Sequence, residues 1–269
     1  MSRWIHLFFT LGIVTFWVTM NLQLALRELE MRQLDEYPSG VTRFLGNELY
    51  RESWLGIYRD KKKIGYTGYT LERVFEEEGV RHHLKLESVG KFEFFGREIE
   101  GRIEGNAIAD VDMAPETLDM DLTLGAVTVT LTGERRGEEF VIRGENEGML
   151  GNFERAVPLE SLSFSNGFSL DLPLAGFEVG ETYEISVYNP LSLSGDRSRA
   201  KIEVLGTTTQ KVEGQDLECF HLRTRMLGRE IDSWVTADGT TLRQELPPPL
   251  NYTLVRETRR NARRGFLER

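Results

Sequence analysis

Along most of the chain, apolar and polar residues alternate with a period of two, the spacing typical of strands with one buried face. The alternation runs from Trp54 to Glu257 and is clearest where threonines separate Val127, Val129 and Leu131. Turn signals, such as the charged run at residues 59–63, separate about a dozen such segments. The pattern predicts a mainly β protein, a meander of antiparallel strands that forms a curved sheet or half-barrel.

Several segments of this pattern carry specific expectations. Residues 199–205 and 207–212 each alternate and are predicted as separate strands. Three consecutive prolines, Pro247 to Pro249, interrupt the sheet, so residues 252–257 are predicted to add a strand at its edge. Residues 159–174 interleave serines with apolar residues, which predicts a short helix or an irregular crossing segment.

The start of the chain has a different pattern, because no Asp, Glu, Lys or Arg occurs from Trp4 to Leu26. About 23 helical residues at about 1.5 Å each cover a hydrocarbon layer of about 30 Å, so this stretch predicts one transmembrane helix. Arg3 places positive charge before it, which favours a cytoplasmic amino terminus. A cleaved secretory signal and a buried core helix are the alternatives. Leu24 and Ala25 match a cleavage site poorly, which favours an uncleaved anchor.

The two patterns divide the chain into four expected parts. Residues 1–26 are the anchor, and residues 27–53 are a juxtamembrane helical segment and linker in which residues 41–50 could form a second short helix. Residues 54–257 are the β domain, and residues 258–269 are a basic tail that either meets anionic headgroups or stays in solvent. The expected location is the bacterial inner membrane, single-pass, with the β domain in the periplasm.

Composition narrows the function. The net charge of −10 makes broad binding to nucleic acid unfavourable, because an acidic surface repels phosphate. Cys219 is the only cysteine, so no intramolecular disulfide can form and the domain depends on its core for stability.

Several short runs resemble a known kind of domain. They are WLGIY from Trp54, KIGY from Lys63, and WVTADG from Trp234 followed by Leu242-Arg243. The chain resembles the uncharacterised β domain of bacterial envelope proteins that often precedes a transglutaminase-like domain, although Thr236 stands where that pattern has an acidic residue. The resemblance implies a curved antiparallel sheet, similar in shape to periplasmic lipoprotein carriers and other half-barrels that hold acyl chains. It implies no catalytic residue and no cofactor.

Candidate chemistry is sparse. His82 and His83 are adjacent on a predicted strand, so they face opposite sides and do not share a metal without a bulge. Cys219 and His221 share a face, as a thiolate-imidazole pair requires, but a buried cysteine beside a strand histidine is the favoured interpretation. Two carboxylate pairs, Asp110 with Asp112 and Asp119 with Asp121, are interpreted as solvated strand positions rather than a metal site.

These observations favour a non-catalytic module, not an enzyme. The first hypothesis is that a concave sheet face binds an apolar or lipid-like ligand, with its candidate residues being Ile103, Ala107, Leu122, Val129 and Leu131. The alternative is a structural or assembly subunit of a membrane or envelope complex, in which the protein's own side chains or a partner fill that face, and the anchor packs on another membrane protein. An enzyme that uses Cys219 with His221 ranks third.

Overall fold

The computed structural model describes residues 49–76, 79–94, 97–146, 151–159, 176–188, 197–226, 228–248 and 251–266, and there the chain is almost entirely strand. Within these ranges, fourteen strands form one antiparallel sheet, and one short helix follows them. The elements are β1 (Tyr50–Arg59), β2 (Lys62–Glu76), β3 (Gly79–Phe94), β4 (Arg97–Ala109), β5 (Pro115–Leu124), β6 (Val127–Arg136), β7 (Glu139–Asn146), β8 (Phe153–Pro158), β9 (Thr182–Tyr188), β10 (Arg197–Val212), β11 (Gln215–Met226), β12 (Arg229–Val235), β13 (Thr241–Leu246), β14 (Tyr252–Arg256) and α1 (Arg259–Arg263). The prediction of a mainly β, antiparallel protein is confirmed.

The order of the strands shows two meanders that meet in the middle of the sheet. It runs β8-β7-β6-β5-β4-β3-β2-β1-β14-β13-β12-β11-β10-β9. The first and last strands in sequence are therefore neighbours, and Leu55 of β1 lies opposite Arg256 of β14. The two outermost strands, β8 and β9, follow each other in the chain. The chain therefore leaves the sheet at one edge, after Pro158, and enters it again at the other edge, at Thr182.

Three strand expectations need correction. The strand predicted at the edge, β14, lies in the interior between β1 and β13 because its two neighbours in space are far away in sequence. The two strands predicted at residues 199–212 are one strand, β10, with an irregularity between Val204 and Gly206 that locally changes the register. A strand that the glycine-rich pattern concealed, β8, pairs with β7.

The turn between β1 and β2 shows how the local sequence fixes the register. Asp60 and Lys61 both adopt positive φ, at 49° and 65°, and the flanking Arg59 and Lys62 pair directly. A two-residue turn with both φ values positive matches the right-handed twist of the strands it joins. The charged run at residues 59–63, predicted as a hairpin turn, is confirmed.

Alternation divides the sheet into two faces with different chemistry. The apolar face is the side that carries most of the buried core, including Leu71, Leu84, Leu118 and Leu131 in the first meander, and Ile202 and Leu222 in the second. The polar face carries the residues between them, and ion pairs join adjacent strands there, such as Arg143 with Glu154 and Arg223 with Asp232. This division places the predicted ligand surface on the apolar face.

The part of the basic tail that the structure describes, up to Phe266, packs on the polar face. Helix α1 follows Thr258, whose hydroxyl accepts a hydrogen bond from the Asn261 N–H. Ala262 is fully buried in a cluster with Trp54, Tyr66 and Val89, and Phe266 packs against the same cluster. The tail thus buries the apolar side chains of Trp54, Tyr66 and Val89 on a face that is otherwise charged.

The predicted anchor from Trp4 to Leu26 and the juxtamembrane segment as far as residue 48 lie outside the described residues. Tyr50, placed in the second juxtamembrane helix by the sequence pattern, instead begins β1. Within the part of the chain that the structure describes, no helix has the length and apolar character to cross a membrane. Most of residues 159–174, predicted as a helix or crossing segment, also lie outside it.

Candidate functional site

The five residues predicted to line the ligand surface come from three adjacent strands, β4, β5 and β6, and lie on the same face. Ile103 lies opposite Leu122, and Leu122 lies opposite Val129. Ala107 pairs with Leu118, and Leu131 pairs with Met120. The register therefore brings the predicted residues together, as the alternation of the sequence requires.

Exposure increases along these strands from one end to the other. Ala107 and Leu131 are 4% and 1% exposed and belong to the main core cluster. Ile103, Leu122 and Val129 are half-buried and pack against that cluster. At the turn between β5 and β6, Leu124 and Val127 are 51% and 49% exposed. The five residues thus span a graded apolar strip rather than a uniform surface.

The inner end of this strip is filled by the protein's own side chains. Ala107 and Leu131 pack among other buried residues of the first meander, among them Tyr69, Leu71, Leu84, Leu118, Met120, Phe140 and Ile142. The outer end, from Ile103 and Leu122 to Leu124, is where apolar surface remains accessible. Accessible apolar surface therefore remains at Ile103, Leu122 and Val129, whereas Ala107 and Leu131 form a packed floor at the inner end of the strip.

Two clefts in the described part of the chain lie elsewhere, on the polar face beside α1. One, of about 310 Å³, is lined by Lys85, Glu87, Arg102, Arg263 and Phe266 together with neighbouring strand residues. The other, of about 410 Å³, is lined by charged residues and by Trp54, Leu217 and Leu242. None of the five predicted residues lines either cleft. Their walls carry charges of both signs, which suits a polar ligand better than a hydrocarbon chain.

A hydrogen-bonded network between the first cleft and α1 was not predicted from the sequence. The Tyr66 hydroxyl donates to the Glu87 carboxylate, and Arg263 Nε lies 3.3 Å from the same Glu87 oxygen. Burial of the phenol, with the hydrogen bond to Glu87, raises the pKa of Tyr66 to about 12. The network joins the tail to β2 and β3. Its sequence signal was the spacing of Ala262 and Phe266, two apolar residues four apart in a basic segment.

A second network fixes the start of the tail. Lys63 Nζ lies 2.5 Å from Glu257 Oε2 and donates to the Asn261 carbonyl at 2.6 Å. The Tyr58 hydroxyl donates to the other Glu257 oxygen, and burial together with this bond raises the pKa of Tyr58 far above its usual range. The paired carboxylate and ammonium groups are largely buried, so they lock the β1–β2 hairpin to α1.

The two adjacent histidines face opposite sides, as predicted. His82 is 0% exposed on the apolar face, and neither of its ring nitrogens has a hydrogen-bond partner among the described residues. Burial, with the nearby Arg73 charge, lowers the pKa of His82 below 6.5 and favours the neutral ring. His83 is half-buried on the other face, where its Nε2 lies 3.5 Å from Glu76. These positions do not converge on a shared metal.

Cys219 and His221 share a face, but they interact with different groups. The buried Cys219 thiol lies 3.5 Å from the Thr208 carbonyl, and burial raises the pKa of the thiol, which disfavours the thiolate. His221 Nε2 lies 3.1 Å from Asp232, and the imidazole stacks on Trp234 with ring centroids 4.8 Å apart. Within the described residues, no hydrogen bond joins the thiol to the imidazole. The geometry is that of a buried cysteine beside a strand histidine.

The carboxylate pairs differ in their setting. Asp110 and Asp112, predicted as strand positions, lie in the turn after β4, where Asp110 Oδ1 accepts hydrogen bonds from two backbone N–H groups and Oδ2 pairs with Arg135. Asp119 and Asp121 are solvated strand positions as expected, and Asp121 accepts from the Thr130 hydroxyl. Across the described ranges, no three His, Cys, Asp or Glu side chains are grouped to hold a metal ion.

Solved structures that are similar to this chain include the following two. A β-barrel-like protein of the domain of unknown function DUF1849 from Brucella abortus is 7% identical, with a TM-score of 0.44, and the match covers 77% of this chain and 94% of that one. A Bacteroides fragilis protein, described as exported and with a YmcC-like fold, is 12% identical, with a TM-score of 0.34, and covers 78% and 95%. No family model and no curated protein matches the sequence. The expected relation to domains that precede transglutaminases stays a prediction.

Proposed function

We propose that this protein is a membrane-anchored, extracytoplasmic, non-catalytic module that binds an apolar or lipid-like ligand on the outer part of its apolar face. The observation that supports this proposal is the graded strip, in which a packed floor at Ala107 and Leu131 continues into half-buried Ile103, Leu122 and Val129. The floor keeps the strands in place without the ligand. The accessible positions leave apolar surface for a ligand to cover.

The chemistry of the strip selects the ligand class. Ile103, Leu122 and Val129 offer no side-chain donor or acceptor, so recognition there depends on apolar burial alone. Each buried methylene contributes roughly 0.8 kcal/mol, so a hydrocarbon chain of several methylenes binds without a polar partner. A free sugar or nucleotide would gain little from this surface.

The direct test is mass spectrometry of lipids extracted from the full-length protein after purification. Val129→Asp places a carboxylate on the half-buried strip, and we expect it to reduce the amount of co-purified lipid at least tenfold, because an ionised group beside a hydrocarbon chain loses its hydration. Thr128→Asp is the matched control, since residue 128 is the neighbouring position on the polar face. The two variants add the same charge to opposite faces.

Equal lipid content in the wild type and both variants, or none in any of them, would contradict ligand binding on this strip. In the second case the alternative, a structural or assembly subunit, becomes the better interpretation. The filled floor supports that alternative. The half-buried stack of His221, Trp234 and Arg243 on the polar face supports it as well, because Trp and Arg are enriched at protein interfaces. Co-purification of a membrane protein that depends on Trp234 would then be expected.

A further inference from the structure

The antiparallel topology sorts the turns of the sheet to two ends. The turns after β1, β5 and β13 lie at one end, which we call the lysine end. The turns after β4, β6, β10 and β12 lie at the opposite end, which we call the carboxylate end. Because all neighbouring strands are antiparallel, this assignment follows from the strand bounds alone.

Acidic groups occur in every described turn of the carboxylate end. They are Asp110 and Asp112 after β4, Glu138 after β6, Glu213 after β10 and Asp238 after β12. Arg135 pairs with Asp110, so part of this charge is compensated. A surface with carboxylates at each turn is repelled by anionic phosphates.

The lysine end has the opposite chemistry. The β5–β6 turn is a charge-free run, Leu124-Gly125-Ala126-Val127, and all four residues are exposed. The β1–β2 turn carries Lys61 and Lys62, both exposed and without an ion-pair partner in the described part of the chain. Asp60 accompanies them, and the nearby Glu98 pairs with Lys91 on the polar face at 3.1 Å. Glu100 also lies on the polar face.

Exposed apolar side chains also occur at the carboxylate end, but each has an acidic neighbour. Phe75 precedes Glu76, Val111 lies between Asp110 and Asp112, and Val179 follows Glu178. The hydroxyl of Tyr50 donates to Glu52. Among the described turns, an uncharged apolar turn combined with unpaired lysines is found at the lysine end alone.

We propose that the lysine end docks on the surface of an anionic lipid bilayer. Leu124, Ala126 and Val127 enter the boundary between headgroups and acyl chains, and Lys61 and Lys62 contact lipid phosphates. Apolar burial favours insertion of the turn, and each lysine near an anionic surface adds attraction that salt screens. Docking places the outer end of the apolar strip at the membrane. It does not depend on whether the strip binds a ligand.

The register sets the geometry of docking. One row of paired residues joins Gly65, Gly90, Gly101 and Leu124 across four strands. Lys62 lies three residues beyond this row, about 10 Å along β2, and three strand spacings, about 14 Å, from β5. The strands therefore lean relative to the membrane when the lysines and the apolar turn touch one plane.

The test uses the full-length chain in vesicles of phosphatidylcholine mixed with phosphatidylglycerol. In a Cys219→Ser background, Ala126→Cys at the lysine end and Glu138→Cys at the carboxylate end each receive one environment-sensitive dye. Both positions are exposed turn residues, so they are matched labelling sites. We expect a blue-shifted dye at residue 126 that a lipid-attached spin label quenches, and a solvent-like, unquenched dye at residue 138.

Charge is tested by Lys61→Gln combined with Lys62→Gln. We expect the docking equilibrium to fall about 30-fold on anionic vesicles, as for two lysines near such a surface, and to change little on pure phosphatidylcholine. Lys211→Gln, at the carboxylate end, is the control and should leave docking unchanged.

Three outcomes would overturn the proposal: solvent-like dye at both positions, lipid quenching at residue 138 instead of 126, or a blue shift at residue 126 that follows protein concentration without lipid quenching. The last outcome would assign the turn to contact between copies of the chain. The result is separable from ligand binding, because co-purified lipid with a solvent-exposed residue 126 would refute docking and leave the proposed function standing.

Discussion

The two faces of the sheet consist of alternate residues of the same strands, yet they are stabilised differently. On the apolar face, Leu131 and Leu118 are buried in a continuous core. On the polar face, oppositely charged residues of adjacent strands form ion pairs, such as Arg143 with Glu154 and Arg225 with Glu230. Apolar burial is worth far more per residue than an exposed ion pair. The comparison therefore locates most of the stability on one face and leaves the other tolerant of change.

The region under α1 is the exception to this division. Trp54 and Tyr66 lie on the polar face, but Ala262 and Phe266 cover them, so an apolar cluster exists there as well. Gly68 provides space for it, because a Cβ at that position would lie 2.2 Å from Trp54 Cε3. The apolar cluster under α1 is thus a site on the polar face where a small change should matter.

The largest effect is expected on the apolar face. Leu131→Ala should lower the free energy of unfolding by about 3 kcal/mol, since it removes a fully buried side chain and leaves a cavity in the core. Thr132→Ala, the adjacent exposed position on the polar face, should change it by less than about 0.5 kcal/mol. Urea denaturation of both variants measures the contrast. Equal losses would refute the difference between the faces.

The next-largest effect is expected in the apolar cluster under α1, on the polar face. Gly68→Val forces a side chain into the space of the Trp54 ring and should cost about 2 kcal/mol, with a change in tryptophan fluorescence as α1 is displaced. Gly206→Val is the control, because no atom lies within 4 Å of a Cβ built there. Thermal unfolding followed by fluorescence compares the two. If the control were equally destabilised, close packing under Trp54 would not be the cause.

A pH-dependent effect comes from the buried histidine. Because the pKa of folded His82 is lowered below 6.5, the unfolded chain binds a proton more readily as pH falls through this value. Stability conferred by the neutral ring is therefore complete above pH 6.5 and is lost as pH falls toward the folded pKa. This contribution changes by at most about 1.4 kcal/mol per pH unit.

His82→Leu should make the stability less dependent on pH below 6.5. Leu84→Ala, which shortens a buried apolar side chain on the same face of β3, should lower the stability by a similar amount at every pH. Urea midpoints measured across this pH range compare the three proteins. An unchanged slope in His82→Leu would show that this ring does not cause the pH dependence.

The smallest effect is expected on the polar face away from α1. Arg143→Gln removes contacts to Glu154 and Glu134, but the guanidinium and both carboxylates are exposed to solvent. We expect the denaturation midpoint to stay within experimental error of the wild type. A clear loss of stability would indicate that the ion pairs act as a network. The polar face would then contribute more to the free energy of unfolding than the comparison assigns to it.

Local patterns predicted a large part of the fold. The alternation of Val127, Val129 and Leu131 with threonines predicted both the strand and its buried face, and the register confirms that Ile103, Leu122 and Val129 are neighbours. The turn at Asp60 and Lys61 could also be predicted from the sequence, because a short polar run between two alternating segments is typical of a hairpin. These features depend on neighbours close in sequence.

The failures have a common cause. An edge position was predicted for β14 because nothing in residues 252–256 reveals the distant partner β1. The basic tail was expected at a membrane or in solvent, because the Trp54 and Tyr66 rings that it buries lie about 200 residues earlier in the chain. The exposure gradient along the ligand strip also depends on which strands pack beneath it.

The sequence by itself determined that the protein is mainly antiparallel β, which residues share a face, and where most of the tight turns lie, because period-two alternation and turn chemistry act over a few residues. Only the tertiary structure decided that the first and last strands pair, that the tail covers part of the polar face, and that uncharged and acidic turns are sorted to opposite ends. Those features follow from strand pairing across the whole chain, for which local sequence holds no signal.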